Sequence, residues 1–136
     1  MRWLKWFIAG ALAVPLFHQV ALWILNATGV IDRAPFAMAP TEPFGVPTVI
    51  SLSFWGGVWG VILGALLTRT RASAYWIMAI VVGAVAPTLV AAFVVAPLKG
   101  QPMGGNIRML VMGLTVNAAW GLGTALIAHL LRSRNT

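Results

Sequence analysis

The sequence offers little chemistry outside its arginines and lysines. It has two histidines, two carboxylates, no cysteine and a scatter of amides and hydroxyls. His18 and Gln19 stand together in "AVPLFHQVALW", Ala13 to Trp23, where nearly every neighbour is hydrocarbon. An imidazole in such a run can relay protons, bind a ligand or bind a metal, because its charge changes near neutral pH and its neutral form is a metal donor. The alternative is a neutral ring hydrogen-bonded to an amide, a hydroxyl or a carbonyl, holding helices in register. No HExxH or GxSxG motif is present, and Asp32 and Glu42 flank a proline-rich turn where they balance Arg33 or meet water. Hydrolysis and group transfer are therefore not expected, and the chain is not read as an enzyme. Without cysteine there is no disulfide, thiolate metal site or thiol chemistry.

The elements that must position His18 are set by composition. Of the 136 residues, 60% are hydrophobic and 8% charged, and the mean hydropathy is +0.92. Soluble domains carry about 25% charged residues, so this chain lacks the polar surface to face water. Four apolar stretches, about 6–27, 48–67, 75–96 and 109–131, are each long enough to cross a hydrocarbon core as a helix. Helices are required because a lone strand hairpin leaves backbone groups unsatisfied in lipid. The expected fold is all-α: one transmembrane domain over 1–136, with four helices in an antiparallel bundle.

The net charge of +7 carries topology rather than nucleic-acid binding, since the basic residues stand singly or in pairs at the ends of apolar runs. Arg2, Lys5, Arg69, Arg71, Arg132 and Arg134 fall on one side, and Arg33, Lys99 and Arg108 on the other with both carboxylates. The positive-inside rule then places both termini in the cytoplasm. Trp3, Trp6, Tyr75 and Trp76 stand where an aromatic belt belongs on that side. Span 1 runs on to Leu25, past the about 7–15 residues of a signal-peptide core, and is expected to be retained.

Counting about 1.5 Å per residue from the cytoplasmic ends puts His18 near 18 Å, Thr88 near 20 Å and Asn117 near 22 Å. All three lie near the middle of a core about 30 Å thick. Pro15 and Pro87 share that level, and each frees a carbonyl that Gln19, Thr88 or the imidazole could serve. His18, Gln19, Thr88 and Asn117 are thus the candidate ligand or proton-relay residues. His18 and Gln19 point about 100° apart around a helix, so they are not expected to address one partner together. His129 lies only about 5 Å from the cytoplasmic end, roughly 13 Å from the level of His18. A haem or metal shared between the two rings is not expected, and no cofactor is assigned.

The external loop 28–47 contains Pro35, Pro40, Pro43 and Pro47, which exclude helix and favour extended segments. Phe36, Met38 and Phe44 suit a semi-rigid lid or docking surface, and suit equally a spacer lying on the headgroups. The second external loop has Gly104-Gly105 without the lysine and hydroxyl of a phosphate loop.

Small residues let helices approach closely. Gly56, Gly60 and Gly64 recur at four-residue intervals, and Gly113, Asn117, Gly121, Thr124 and Ala128 form a second stripe. Tight packing within the chain is the expected use, with a homodimer seam or a partner's groove as the alternative. Trp55 and Trp59 leave the first stripe and are expected to face lipid or such a partner. "WGVILGALLTR" and "WGLGTALIAHLLR" match loosely across the two halves, which a duplication or shared composition explains equally.

In "FHQVALW", "PFGVP" and "FWGGVWG" the chain resembles uncharacterised small four-span bacterial inner-membrane proteins. The resemblance implies a bacterial cytoplasmic membrane and carries no activity over. Two readings follow. One is a non-catalytic bundle that self-associates or serves as an accessory subunit of a larger membrane complex, surrounded by the lipid bilayer. The other is a small carrier or channel for protons, ions or an apolar solute, with a polar midplane site around His18.

Overall fold

The computed structural model describes residues 1–133. Arg134, part of the expected basic exit, lies outside the described residues. Within them run four long helices: α1 (Arg2–Ala27), α2 (Thr48–Leu67), α3 (Ser73–Leu98) and α4 (Ile107–Ser133). Each is long and apolar enough to cross a membrane. The chain thus has the make-up of a small multi-pass integral membrane protein. The helices exceed the expected spans by a few residues at most ends, because helical hydrogen bonding continues past the last apolar side chain.

The helix ends follow local chemistry. Asn106 caps α4, its Oδ1 accepting the Met109 N–H at 3.0 Å. At the end of α1, Gly29 takes a φ of 77°. Its N–H donates to the Asn26 carbonyl and that of Val30 to the Leu25 carbonyl. This double closure is the Schellman motif, which needs the left-handed residue that glycine supplies. Gly100 repeats it after α3, with φ 75° and Gln101 N–H donating to the Ala96 carbonyl at 2.9 Å.

The prolines leave wider turns. Over Val14–His18 the helix is π-helical, and the Gln19 N–H reaches back five residues to the Val14 carbonyl. Pro15 has no N–H, and its ring crowds the carbonyl of Ala11; the wide turn absorbs that conflict. A second π segment, Ala91–Val95, precedes Pro97. There the Gly104 N–H of the second loop donates to the Ala92 carbonyl at 2.9 Å. Pro87 sits inside regular helix.

Packing follows the small residues. A Cβ on Gly60 would stand 2.9 Å from the Gly10 Cα, and one on Gly56 would stand 2.8 Å from the Gly10 carbonyl oxygen. Gly64 lies under the Trp6 ring. The α2 glycines are therefore spent against α1. On the other side, a Cβ on Gly83 would stand 2.7 Å from the Gly121 Cα, which brings α3 onto α4. α1 also lies on α4, whereas α2 and α3 share far less contact. Trp59 packs partly buried against the core, in contrast to the lipid-facing position expected of it, while Trp55 is 56% exposed.

The buried cluster gathers Trp6, Leu63, Leu67, Tyr75, Ala79, Ala125 and Ala128. These come from the first turns of α1 and α3 and the later turns of α2 and α4, toward one end of the molecule, and Ala9, Ala13, Val14 and Trp120 continue the cluster inward. The opposite, loop-bearing end is more open, and the α3 segment Ala91–Val95 has no buried residue. α2 begins short of its neighbours there, with 20 residues against 26 or 27 in the other helices. The first loop fills the place of the missing turns. It forms a two-residue antiparallel pair, β1 (Pro40–Thr41) with β2 (Val46–Pro47). Its Ala39 carbonyl accepts the Thr48 N–H at 2.9 Å, and its Ala37 carbonyl accepts the Val49 N–H at 3.0 Å. Loop carbonyls thus satisfy first-turn donors that a helix starting inside the bundle would leave bare.

Candidate functional site

His18 ends the π segment of α1, and Gln19 starts the regular helix that follows. Gln19 is one of the few fully buried polar side chains, at 2% exposure. Its amide nitrogen donates to Nδ1 of His18 at 3.0 Å, and its Oε1 accepts the Phe36 N–H at 2.6 Å. The two side chains therefore do meet, although a uniform helical turn would hold them about 100° apart. The widened turn and two flexible side chains close that angle. With Nδ1 as acceptor, the ring proton of neutral His18 sits on Nε2.

Phe36 has φ 53°, a left-handed conformation that bulky residues rarely adopt. Gln19 thus fixes a loop residue whose backbone is otherwise unfavourable. The 28–47 loop is tied to α1 through a side chain two to three turns before that helix ends. The sequence pointed to Gln19 as a donor to a freed helix carbonyl; its amide donates to the His18 ring instead, and its oxygen accepts across 17 residues of chain.

Thr88 and Asn117 form a second pair. Asn117 Nδ2 donates to Thr88 Oγ1 at 2.9 Å, linking α4 to α3. Gly113 lies one turn away, where a Cβ would come within 3.1 Å of the Thr88 methyl. Among the described residues no hydrogen bond joins this pair to His18 or Gln19. The four candidates are thus divided between two interfaces, His18 and Gln19 under the loop, Thr88 and Asn117 at the α3–α4 seam. No buried side-chain nitrogen or oxygen among the described residues lacks a partner.

Two polar contacts had no sequence signal beyond the rule that a buried indole or phenol needs an acceptor. Trp120 Nε1–H donates to the Gly10 carbonyl at 3.0 Å, while the Val14 N–H turns to Ala11 instead. The displaced helix bond before Pro15 thus leaves a carbonyl that an indole from α4 takes up. Tyr75 O–H donates to the Ala125 carbonyl at 2.7 Å. His129 stands in the last turns of α4, with the Trp76 ring at 5.8 Å and the Tyr75 ring at 6.5 Å.

Two open clefts lie elsewhere, at the loop-bearing end. One of about 540 Å³ is lined by Leu25, Ile31, Arg108, Val111 and Met112 among others, and a neighbour of about 410 Å³ adds Asp32 and Arg33. They share Gly29 to Ile31, Arg108 and Met112, so they are parts of one groove between the end of α1 and the start of α4. Neither includes His18, Gln19, Thr88 or Asn117.

Comparison of the chain with protein-family models, with curated proteins and with solved structures gives no match.

Proposed function

We propose that the protein is a non-catalytic bundle of the bacterial cytoplasmic membrane that self-associates or serves as an accessory subunit of a larger complex. In this reading the helices form an antiparallel bundle with both termini cytoplasmic. The contact order Trp6 to Gly64 and Gly10 to Gly60 supports the first point. The excess of arginine and lysine at the end carrying the termini supports the second. The resemblance to small bacterial inner-membrane proteins supports the location.

One observation carries the reading: the midplane polar side chains are occupied with each other and with the loop backbone. His18 is held by Gln19, Gln19 by Phe36, and Thr88 by Asn117. A transport site needs polar groups facing an open path, and these hold helices and loop together instead. The glycines are consumed within the chain, so contacts with other chains fall to exposed apolar groups such as Phe54 and Trp55 on α2. Crosslinking in native membranes tests this directly. A crosslinked homo-oligomer or a stoichiometric partner that survives His18→Leu and is lost in Trp55→Ala supports it. A chain that stays monomeric and partnerless in the native membrane overturns it.

The second reading, a small carrier or channel for protons, ions or an apolar solute around His18, is favoured by the π-helical turn ending on that residue. Such turns recur at functional sites. Proton or solute flux into vesicles holding the purified chain, abolished by His18→Leu in a variant that folds and assembles normally, would select it.

A further inference from the structure

The groove at the loop-bearing end has a polar rim and an apolar floor, and these point to one occupant. Arg33 follows the α1 turn, and Arg108 stands in the first turn of α4. Both line the groove. Among the described residues neither guanidinium has an ion-pair partner, although Asp32 shares the rim. Below them Leu25, Ile31, Val111 and Met112 carry the groove down toward the middle of the helices. From Arg108 to Met112 the helix descends about 6 Å, which is one turn. Charge therefore sits at the level of headgroups, and hydrocarbon at the level of acyl chains.

We infer that this groove holds an anionic phospholipid, its phosphate between Arg33 and Arg108 and one acyl chain along Leu25, Ile31, Val111 and Met112. Guanidinium groups offer forked donors that match phosphate oxygens two at a time. A soluble anion would use the rim and leave the floor empty. A protein partner would more naturally meet the arginines with carboxylates, and it would not need an apolar floor beneath them. The proposal depends on the chain spanning the membrane. Orientation decides only which leaflet supplies the lipid.

The test uses the full chain purified in mild detergent and followed by native mass spectrometry. Phosphatidylglycerol and phosphatidylcholine of matched acyl chains are the probes, with inorganic phosphate as a separate arm. One phosphatidylglycerol should remain bound per chain, in preference to phosphatidylcholine. Arg33→Gln with Arg108→Gln should weaken its retention about tenfold or more, equivalent to about 1.4 kcal/mol per factor of ten. Lys99→Gln, on the same side but outside the groove, should leave it unchanged, which separates the site from general attraction to a basic protein. Val111→Trp fills the floor without touching the charge and should also weaken retention. If the double variant fails to fold, the two single arginine variants and Val111→Trp carry the test. Equal retention in all variants overturns the proposal. So does inorganic phosphate displacing the lipid at concentrations that leave the salt dependence flat, which would mark a phosphate site alone. Absence of any bound lipid in the wild-type chain also overturns it and leaves the groove to a protein partner.

Discussion

Gln19 and Phe36 are joined by a 2.6 Å hydrogen bond from the loop backbone to the buried amide oxygen. That contact fixes the first loop to α1 and holds Phe36 in a left-handed conformation that costs on the order of 1–3 kcal/mol. Gln19→Leu should remove the acceptor, leave the part-buried Phe36 N–H without it, and destabilise the fold by about 1–3 kcal/mol. Tryptic cleavage after Arg33 should accelerate in the variant and remain slow in the wild type. Equal cleavage rates would show that the loop is held by other contacts.

Trp120 can be separated into its hydrogen bond and its bulk. Trp120→Phe keeps a ring but loses the donor to the Gly10 carbonyl, at a cost of about 0.6–1.7 kcal/mol for a polar contact between membrane helices. Trp120→Ala also empties the space and should cost about 3–5 kcal/mol. Denaturant titration in micelles measures both, and similar losses would assign the stabilisation to the hydrogen bond alone.

The close approaches at glycine predict position-specific damage. Gly60→Val and Gly121→Val each put side-chain atoms onto facing backbone, near Gly10 and Gly83 respectively. Both should lower stability by more than about 2 kcal/mol or prevent folding, since the backbone cannot yield as a side chain can. Trp55→Leu, on an exposed face, should leave the isolated chain within about 0.5 kcal/mol of wild type. A larger loss for the monomer would mean that this face is buried against part of the chain.

Asn117 and Thr88 are expected to be coupled. Asn117→Leu and Thr88→Val should each destabilise the chain. Together they should cost less than their sum by about 0.6–1.7 kcal/mol, the energy of one interhelical hydrogen bond. Additive losses would mean that each side chain has an independent partner.

The four spans were legible because length and hydropathy decide them without reference to tertiary structure. The glycines were legible as packing residues because a four-residue interval repeats along one face. Which helix receives each stripe was not, since α1 offers Gly10 and α4 offers Trp120 to the same part of α2. The polar side chains of the apolar runs were legible as candidates for hydrogen bonding but not as a set of pairs. Depth counting places His18, Thr88 and Asn117 together, yet hydrogen bonding depends on which face each presents. Around Pro15 that face is altered by a π turn that composition does not announce. The Gln19–Phe36 bond was hidden for another reason. A loop rich in prolines has few free N–H groups, and which of them turns inward is decided by the place where α2 starts.

The short α2 has a further consequence for the bilayer itself. At about 1.5 Å per residue its 20 residues span about 30 Å, close to the thickness of a typical hydrocarbon core. The 26-residue spans reach about 39 Å, an excess that tilting can relieve. In a thinner membrane the long helices can lean further. In a thicker one α2 has no length in reserve, and the loop above it, with Glu42, would be drawn toward hydrocarbon. The protein's tolerance of hydrophobic mismatch is therefore one-sided, with its upper limit set by the helix that ends first.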